Sequence, residues 1–166
     1  RRVLFRSEEY LFHISYHDML TTMYNRRFFQ EELKRSDAES NLPISIIVGD
    51  VNGLKFANDS FGHAAGDELL LRAAEMIHSI CRADDIIARV GGDEFAILLP
   101  NTHSDEARLI VKRLNEQAAK EKVYSVSFSI SFGYDTKNYS YENIHDVYIN
   151  AENQMYKHKL HMNANT

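Results

Sequence analysis

Cysteine is almost absent from this 166-residue chain, which has only Cys81. No intrachain disulfide can form, and no cysteine-cluster zinc site can be built. Such usage fits a reducing compartment. Proline is nearly as scarce, with two residues, and glycine numbers seven, which argues against a disordered or fibrous chain. No apolar run approaches the roughly 18 residues of a membrane span, and no secretory leader is visible. Long basic blocks are missing as well. With a formal net charge of −5, electrostatic capture of nucleic acid or of an anionic membrane is not indicated. An anionic substrate must then be met by local cations or by metal ions. There is no GxxxxGK[ST] phosphate loop and no Ser/His/Asp arrangement. Eight histidines are present, but His158 and His161 lack the further ligands that zinc requires.

What is there describes one soluble domain with a sizeable core, 44% hydrophobic and 26% charged. The chain opens at Arg1 rather than Met and reads as a fragment, with upstream membrane or sensor domains conceivable. Residues Arg1 to about Tyr16, with spaced Val3, Leu4, Leu11 and Ile14, read as a helical connector over 1–17, and the remaining domain as 18–166. Asn25 to about Arg35 predicts a helix. The unbroken run Ile44–Val51 predicts a buried strand with Asp50 near its C-terminal end. A loop rich in Asn and Gly follows, then a helix from Asp67 to about Ile80. Ile86–Val90 and Phe95–Leu99 read as strands around Gly91-Gly92-Asp93-Glu94. Ser104–Ala119 reads as a helix. Alternation over Ser125–Phe132 predicts one strand with its serines on the outer face. Tyr141 to about Lys159 reads as the last helix. This order indicates an α/β or α+β sandwich around one central, mostly antiparallel sheet flanked by helices.

Two acidic positions stand out. Asp50 ends a buried strand, and Asp93-Glu94 lies on a turn between two others. If the strands are neighbours, their carboxylates converge at one sheet edge, and hard oxygen ligands suit magnesium. Turn chemistry alone would also explain the second pair. Gly53, Leu54 and Lys55 offer backbone N–H groups and one cation to phosphates. Asn58 and Asp67 have the donors and acceptors to read a guanine edge, although Asp67 could equally cap a helix.

Arg89-Val90-Gly91-Gly92-Asp93-Glu94-Phe95 resembles the signature of the GGDEF family of diguanylate cyclase domains. Gly49–Asp67 (GDVNGLKFANDSFGHAAGD) is similar to that family's metal and guanine segment, and Asp18–Phe28 to its opening D-x-L-T block. Ser131-Phe132-Gly133 and Ala151–Lys159 resemble its last strand and helix. The resemblance covers about Asp18 to Lys159. It implies a nucleotide-cyclase or polymerase-palm-like fold that condenses two GTP into cyclic di-GMP in a two-fold homodimer, in the cytoplasm, under an upstream sensor. It also implies magnesium or manganese on Asp50, the Val51 carbonyl, Asp93 and Glu94, with Glu94 supporting metal binding or proton removal. Asn58 and Asp67 would recognise guanine. Gly53, Leu54, Lys55 and Lys159 would contact the phosphates. Arg82 and Asp85 match the family's R-x-x-D inhibitory site for the product, with a solvated helix end as the plainer alternative. There are departures. Thr22 replaces a glycine, Asn52 a frequent aspartate, Leu54 a phenylalanine, and Asn163 stands where a phosphate-contacting arginine is usual. That last change keeps open a module that binds GTP or cyclic di-GMP with little or no turnover.

Overall fold

The structure, a computed structural model, describes residues 6–124 and 126–164. Val3, Leu4 and Ser125 lie outside the described residues, as does the side chain of Asn163. The elements are α1 (Ser7–Tyr16), β1 (Tyr24–Asn25), α2 (Arg26–Arg35), β2 (Ile44–Val51), α3 (Leu54–Phe61), α4 (His63–Ile80), β3 (Ile86–Arg89), β4 (Glu94–Leu99), α5 (Ser104–Ala119), β5 (Lys122–Val123), β6 (Val126–Ser127), β7 (Ile130–Lys137) and α6 (Ile144–Ala164). Five strands form the central sheet in the order β1-β3-β4-β2-β7. Among the described residues only the short β1–β3 pair of this sheet is parallel; the other pairings are antiparallel. The palm-like expectation is met.

β2 is buried along its whole length because helices cover both faces of the sheet. Alternation splits its side chains between two cores. Ile44, Ile46 and Val48 join Ala96 and Leu98 of β4 beneath α2 and α6, with Phe29, Leu33, Val147, Ala151 and Met155. Ile47 and Val51 face the other way, with Phe95, Ile97 and Leu99, toward α4 and α5. Asp50 and Glu94 are direct cross-strand partners, as are Val48 and Ala96. The two acids therefore continue the apolar row under α6 to the end of the sheet.

Gly133 sets how closely α6 approaches. A Cβ there would lie 2.1 Å from the Ala151 carbonyl oxygen and 2.4 Å from the Met155 nitrogen. Only a glycine lets the helix backbone rest on β7 at this point, and that contact fixes where Lys159 emerges.

Several boundaries differ from expectation. The Asn/Gly-rich loop is mostly the helix α3, and α4 starts at His63, not Asp67. Asp67 thus sits in the second turn and is not a cap. The single strand expected over Ser125–Phe132 is two pieces. Val126–Ser127 pairs with β5 as a small hairpin, and Ile130 opens β7, which runs on to Lys137. Ser131 is fully buried, not outward, and bonds to Asn52 (Oγ to Oδ1 3.2 Å, Nδ2 to Oγ 3.1 Å). That network gives Asn52 a structural task between β2 and β7. Thr22 adopts φ 61, the left-handed region in which glycine is favoured, so the family's glycine at this point has a conformational reason.

Candidate active site

The sheet places the strand-end acid and the turn acids at one edge. Asp50 is 5% exposed. Its carboxylate accepts a hydrogen bond from the Lys159 ammonium of α6, which also stands 3.8 Å from Asp93 Oδ2. The Val51 N–H donates to the Asp93 carbonyl at 2.9 Å and ties the turn to the end of β2. Asp50, Val51, Asp93, Glu94 and Lys159 are therefore brought together from three separated stretches of chain.

The charges interact strongly. Burial raises the Asp50 carboxyl above the ordinary range and the Asp93 carboxylate adds to the rise, while Lys159 pulls it down. Burial also drives Glu94, from an ordinary value of 4.5 up to about 7, helped by a hydrogen bond shared with Glu152 and by the carboxylates of Glu152, Asp50 and Asp93. The same acids reach two tyrosines on α6. Tyr148 is raised by burial first and then by Glu94 and Glu152, Tyr156 by the Glu94 carboxylate first. Glu152 was not singled out in the sequence. Its spacing could have exposed it, since it lies seven residues before Lys159 on one helix and so on the same face.

An acidic cleft that recruits its own lysine as counter-ion has the donor chemistry for a hard divalent cation. Among the described residues no group of three or more His, Cys, Asp or Glu side chains could hold a metal by itself. Magnesium does not require one, because carbonyl, water and substrate phosphate oxygens complete its shell. The residues fit the ion.

The remaining candidates lie on neighbouring elements. Gly53 (φ 76) precedes α3, and Leu54 and Lys55 are that helix's first residues. Their N–H groups therefore belong to a helix N-terminus, a natural anion site, and not to a loop. Asn58 lies against α4, where a Cβ on Gly66 would come within 2.0 Å of its Oδ1. That oxygen is buried and has no partner among the described residues. Arg82 and Asp85 are remote from the cleft, at the other end of β3. Asp85 is 8% exposed and accepts from the Arg82 backbone N–H at 2.8 Å, while the guanidinium donates to Thr102 Oγ1 at 3.2 Å. This is an ordered turn just past the end of α4, with Arg82, Ala83 and Asp84 exposed to solvent. A cavity of about 280 Å³ beside it is lined by Ile80, Arg82, Asp85, Glu106, Leu109, Ile110 and a second arginine, Arg113, which the sequence alone did not connect to the pair; Glu106 stands 4.0 Å from the Arg82 guanidinium.

A family model described as "Diguanylate cyclase, GGDEF domain" matches residues 15–165. The chain belongs to this family. It is 29% identical over 153 residues to the probable diguanylate cyclase DgcT of Escherichia coli K12, covering 88% of this chain and 34% of that protein. To the bifunctional diguanylate cyclase/cyclic di-GMP phosphodiesterase MucR of Pseudomonas aeruginosa it is 32% identical over 163 residues, 94% of this chain and 24% of that one. The chain thus spans a quarter to a third of these relatives' length. Its fold is similar to the coiled coil and GGDEF domain of DgcB from Caulobacter crescentus, crystallised in complex with c-di-GMP. The TM-score there is 0.84, with 25% identity over 92% of this chain and 84% of the other. No helix among the described residues is long and apolar enough to cross a membrane.

Proposed function

We propose that this domain is an active diguanylate cyclase, which joins two GTP molecules into cyclic di-GMP and releases pyrophosphate. The observation that carries the reading is the Lys159 ammonium drawn against the carboxylates of Asp50 and Asp93 at the end of a buried sheet. Asp50, Asp93, the Val51 carbonyl and Glu94 would hold magnesium or manganese. Such an ion, when bound, lowers the pKa of the attacking 3′-hydroxyl and screens charge on the leaving pyrophosphate.

The other residues bind and orient. Gly53, Leu54 and Lys55 present helix N–H groups and a cation to the β- and γ-phosphates. Lys159, now against Asp50 and Asp93, would also reach the triphosphate from α6. The buried, unpartnered Oδ1 of Asn58 is satisfied by a guanine N–H, and Asp67 takes the other guanine donors. Two domains meet about a two-fold axis, so that each 3′-hydroxyl attacks the α-phosphate held by the other. Segment 1–17 connects this domain, 18–166, to an upstream sensor that controls the pairing, in the cytoplasm. Cyclic di-GMP binds back at Arg82 and Asp85, with Arg113 as a further phosphate partner.

Asn163, in place of a phosphate-binding arginine, favours a second reading: a domain that binds GTP or cyclic di-GMP without turnover. Incubation of the dimerised domain with GTP and magnesium, followed by chromatography, separates the two. Cyclic di-GMP that disappears with Asp93→Asn supports the enzyme; bound nucleotide without product supports the receptor.

A further inference from the structure

The Asp18-Met19-Leu20-Thr21 block has no part in that reaction, yet it reaches the reacting edge. Asp18 is built into a tight turn. Its N–H donates to the Met23 carbonyl at 2.7 Å, and its Oδ2 accepts from the Thr21 N–H and hydroxyl, both at 2.8 Å. The same carboxylate accepts from Arg89 Nη1 at 3.1 and 3.2 Å. Both side chains are largely buried, at 17% and 19% exposure. Burial works against the Asp18 charge, but the Thr21 donors and the guanidinium outweigh it and hold the carboxyl below its ordinary range.

Arg89 uses the rest of its fork elsewhere. Its Nε and Nη2 donate to the Gly92 carbonyl at 3.2 and 2.7 Å. Gly91 and Gly92 carry no side chains to stiffen the backbone, and Asp93 follows directly. The turn is thus clamped on both sides of Asp93, at the carbonyl that precedes it and at its own. Arg89 holds one carbonyl, and the Val51 N–H holds the next. A planar guanidinium can grip a carboxylate and a carbonyl together, which an ammonium on a flexible stem cannot do in fixed geometry.

We propose that Asp18 and Arg89 are positioning residues for the metal carboxylate. Asp18 orients the guanidinium, and the guanidinium fixes Gly92 so that Asp93 faces Asp50. The inference rests on the reading of Asp93 as a metal ligand. It gives the segment that follows α1 a direct mechanical hold on the catalytic turn.

The test uses the whole chain with Asp18→Asn, Arg89→Lys and the double variant. Mn²⁺ binding is followed by electron paramagnetic resonance in the presence of α,β-methylene GTP, alongside kcat, the KM for GTP and Tm. Asp37→Asn serves as a control. It breaks the Lys137–Asp37 ion pair, whose lysine lies opposite Ile44, at the far end of β2 from Asp50. Arg89→Lys should weaken Mn²⁺ binding and lower kcat by about 10- to 100-fold, with KM little changed, and the double variant should be no worse. Asp37→Asn should lower Tm alone. If wild type binds Mn²⁺ and the Asp18 and Arg89 variants bind it equally well, the pair is only a structural staple and the inference falls while the enzyme reading stands. Wild type that binds no Mn²⁺ and makes no product overturns both. Wild type that binds Mn²⁺ without turnover, with variants that bind weakly, upholds the positioning role and refutes only the activity.

Discussion

Replacing Glu94 by glutamine should stabilise the metal-free domain at pH 8 and leave it nearly unchanged at pH 5. In the folded state the Glu94 carboxyl is pushed from 4.5 up to about 7, by burial first and then by Glu152. Between those values the folded protein holds a proton that the unfolded chain has released. Stability therefore falls as pH rises through this window, and the penalty is complete above the folded value. The full shift corresponds to about 3 kcal/mol. Because the side chain is only half-buried, solvent screening reduces this to about 1–1.5 kcal/mol, or a Tm difference of about 2–5 °C for a domain of this size. Glutamine has no such penalty and can still donate to Glu152. The assay is thermal unfolding of both proteins from pH 5 to pH 8 with a chelator present. Other groups titrate over this range, so the quantity to follow is the difference between the two proteins. A difference that does not change with pH would refute the assigned cause, and wild type more stable than the variant at pH 8 would refute its sign.

Gly133→Ala should cost about 1–3 kcal/mol in urea unfolding, because the new methyl meets the α6 backbone and the helix must lift. Gly66→Ala pushes the Asn58 amide out of place and should raise the KM for GTP about tenfold with kcat largely kept, the pattern of lost uniform binding; an unchanged KM would remove Asn58 from guanine recognition. Arg82→Ala should weaken cyclic di-GMP binding about 10- to 100-fold by calorimetry, the loss of charge-assisted hydrogen bonds, and leave turnover without added product intact.

Much of the site is legible along the chain. Asp50, Asp93 and Glu94 are marked by where they interrupt apolar runs, since a carboxylate at the end of a buried strand needs either a partner or a ligand. Lys55 and Asn58 are suggested by their side-chain chemistry in an Asn/Gly-rich segment, while Lys159 becomes visible only through the family resemblance. Glu152 shares a helix face with Lys159, but its role beside Glu94, and that of Arg113 beside Arg82, depend on neighbours supplied by other elements: Glu94 lies on β4 and Arg82 beyond the end of α4. Ser131 misleads for a related reason. Alternation marks it as outward, but α6 and the Asn52 network bury that face.

Period and composition alone determined the layered α/β architecture, the order of most elements and the exclusion of an intrachain disulfide, because backbone geometry converts local spacing directly into faces and one cysteine cannot pair with itself. Which strands adjoin, how closely α6 lies on Gly133, and that an ammonium 109 residues from Asp50 becomes its partner were decided only by tertiary packing. Electrostatics acts through space: the field on a carboxylate depends on every charge and every layer of protein around it, and distance along the chain says nothing of either.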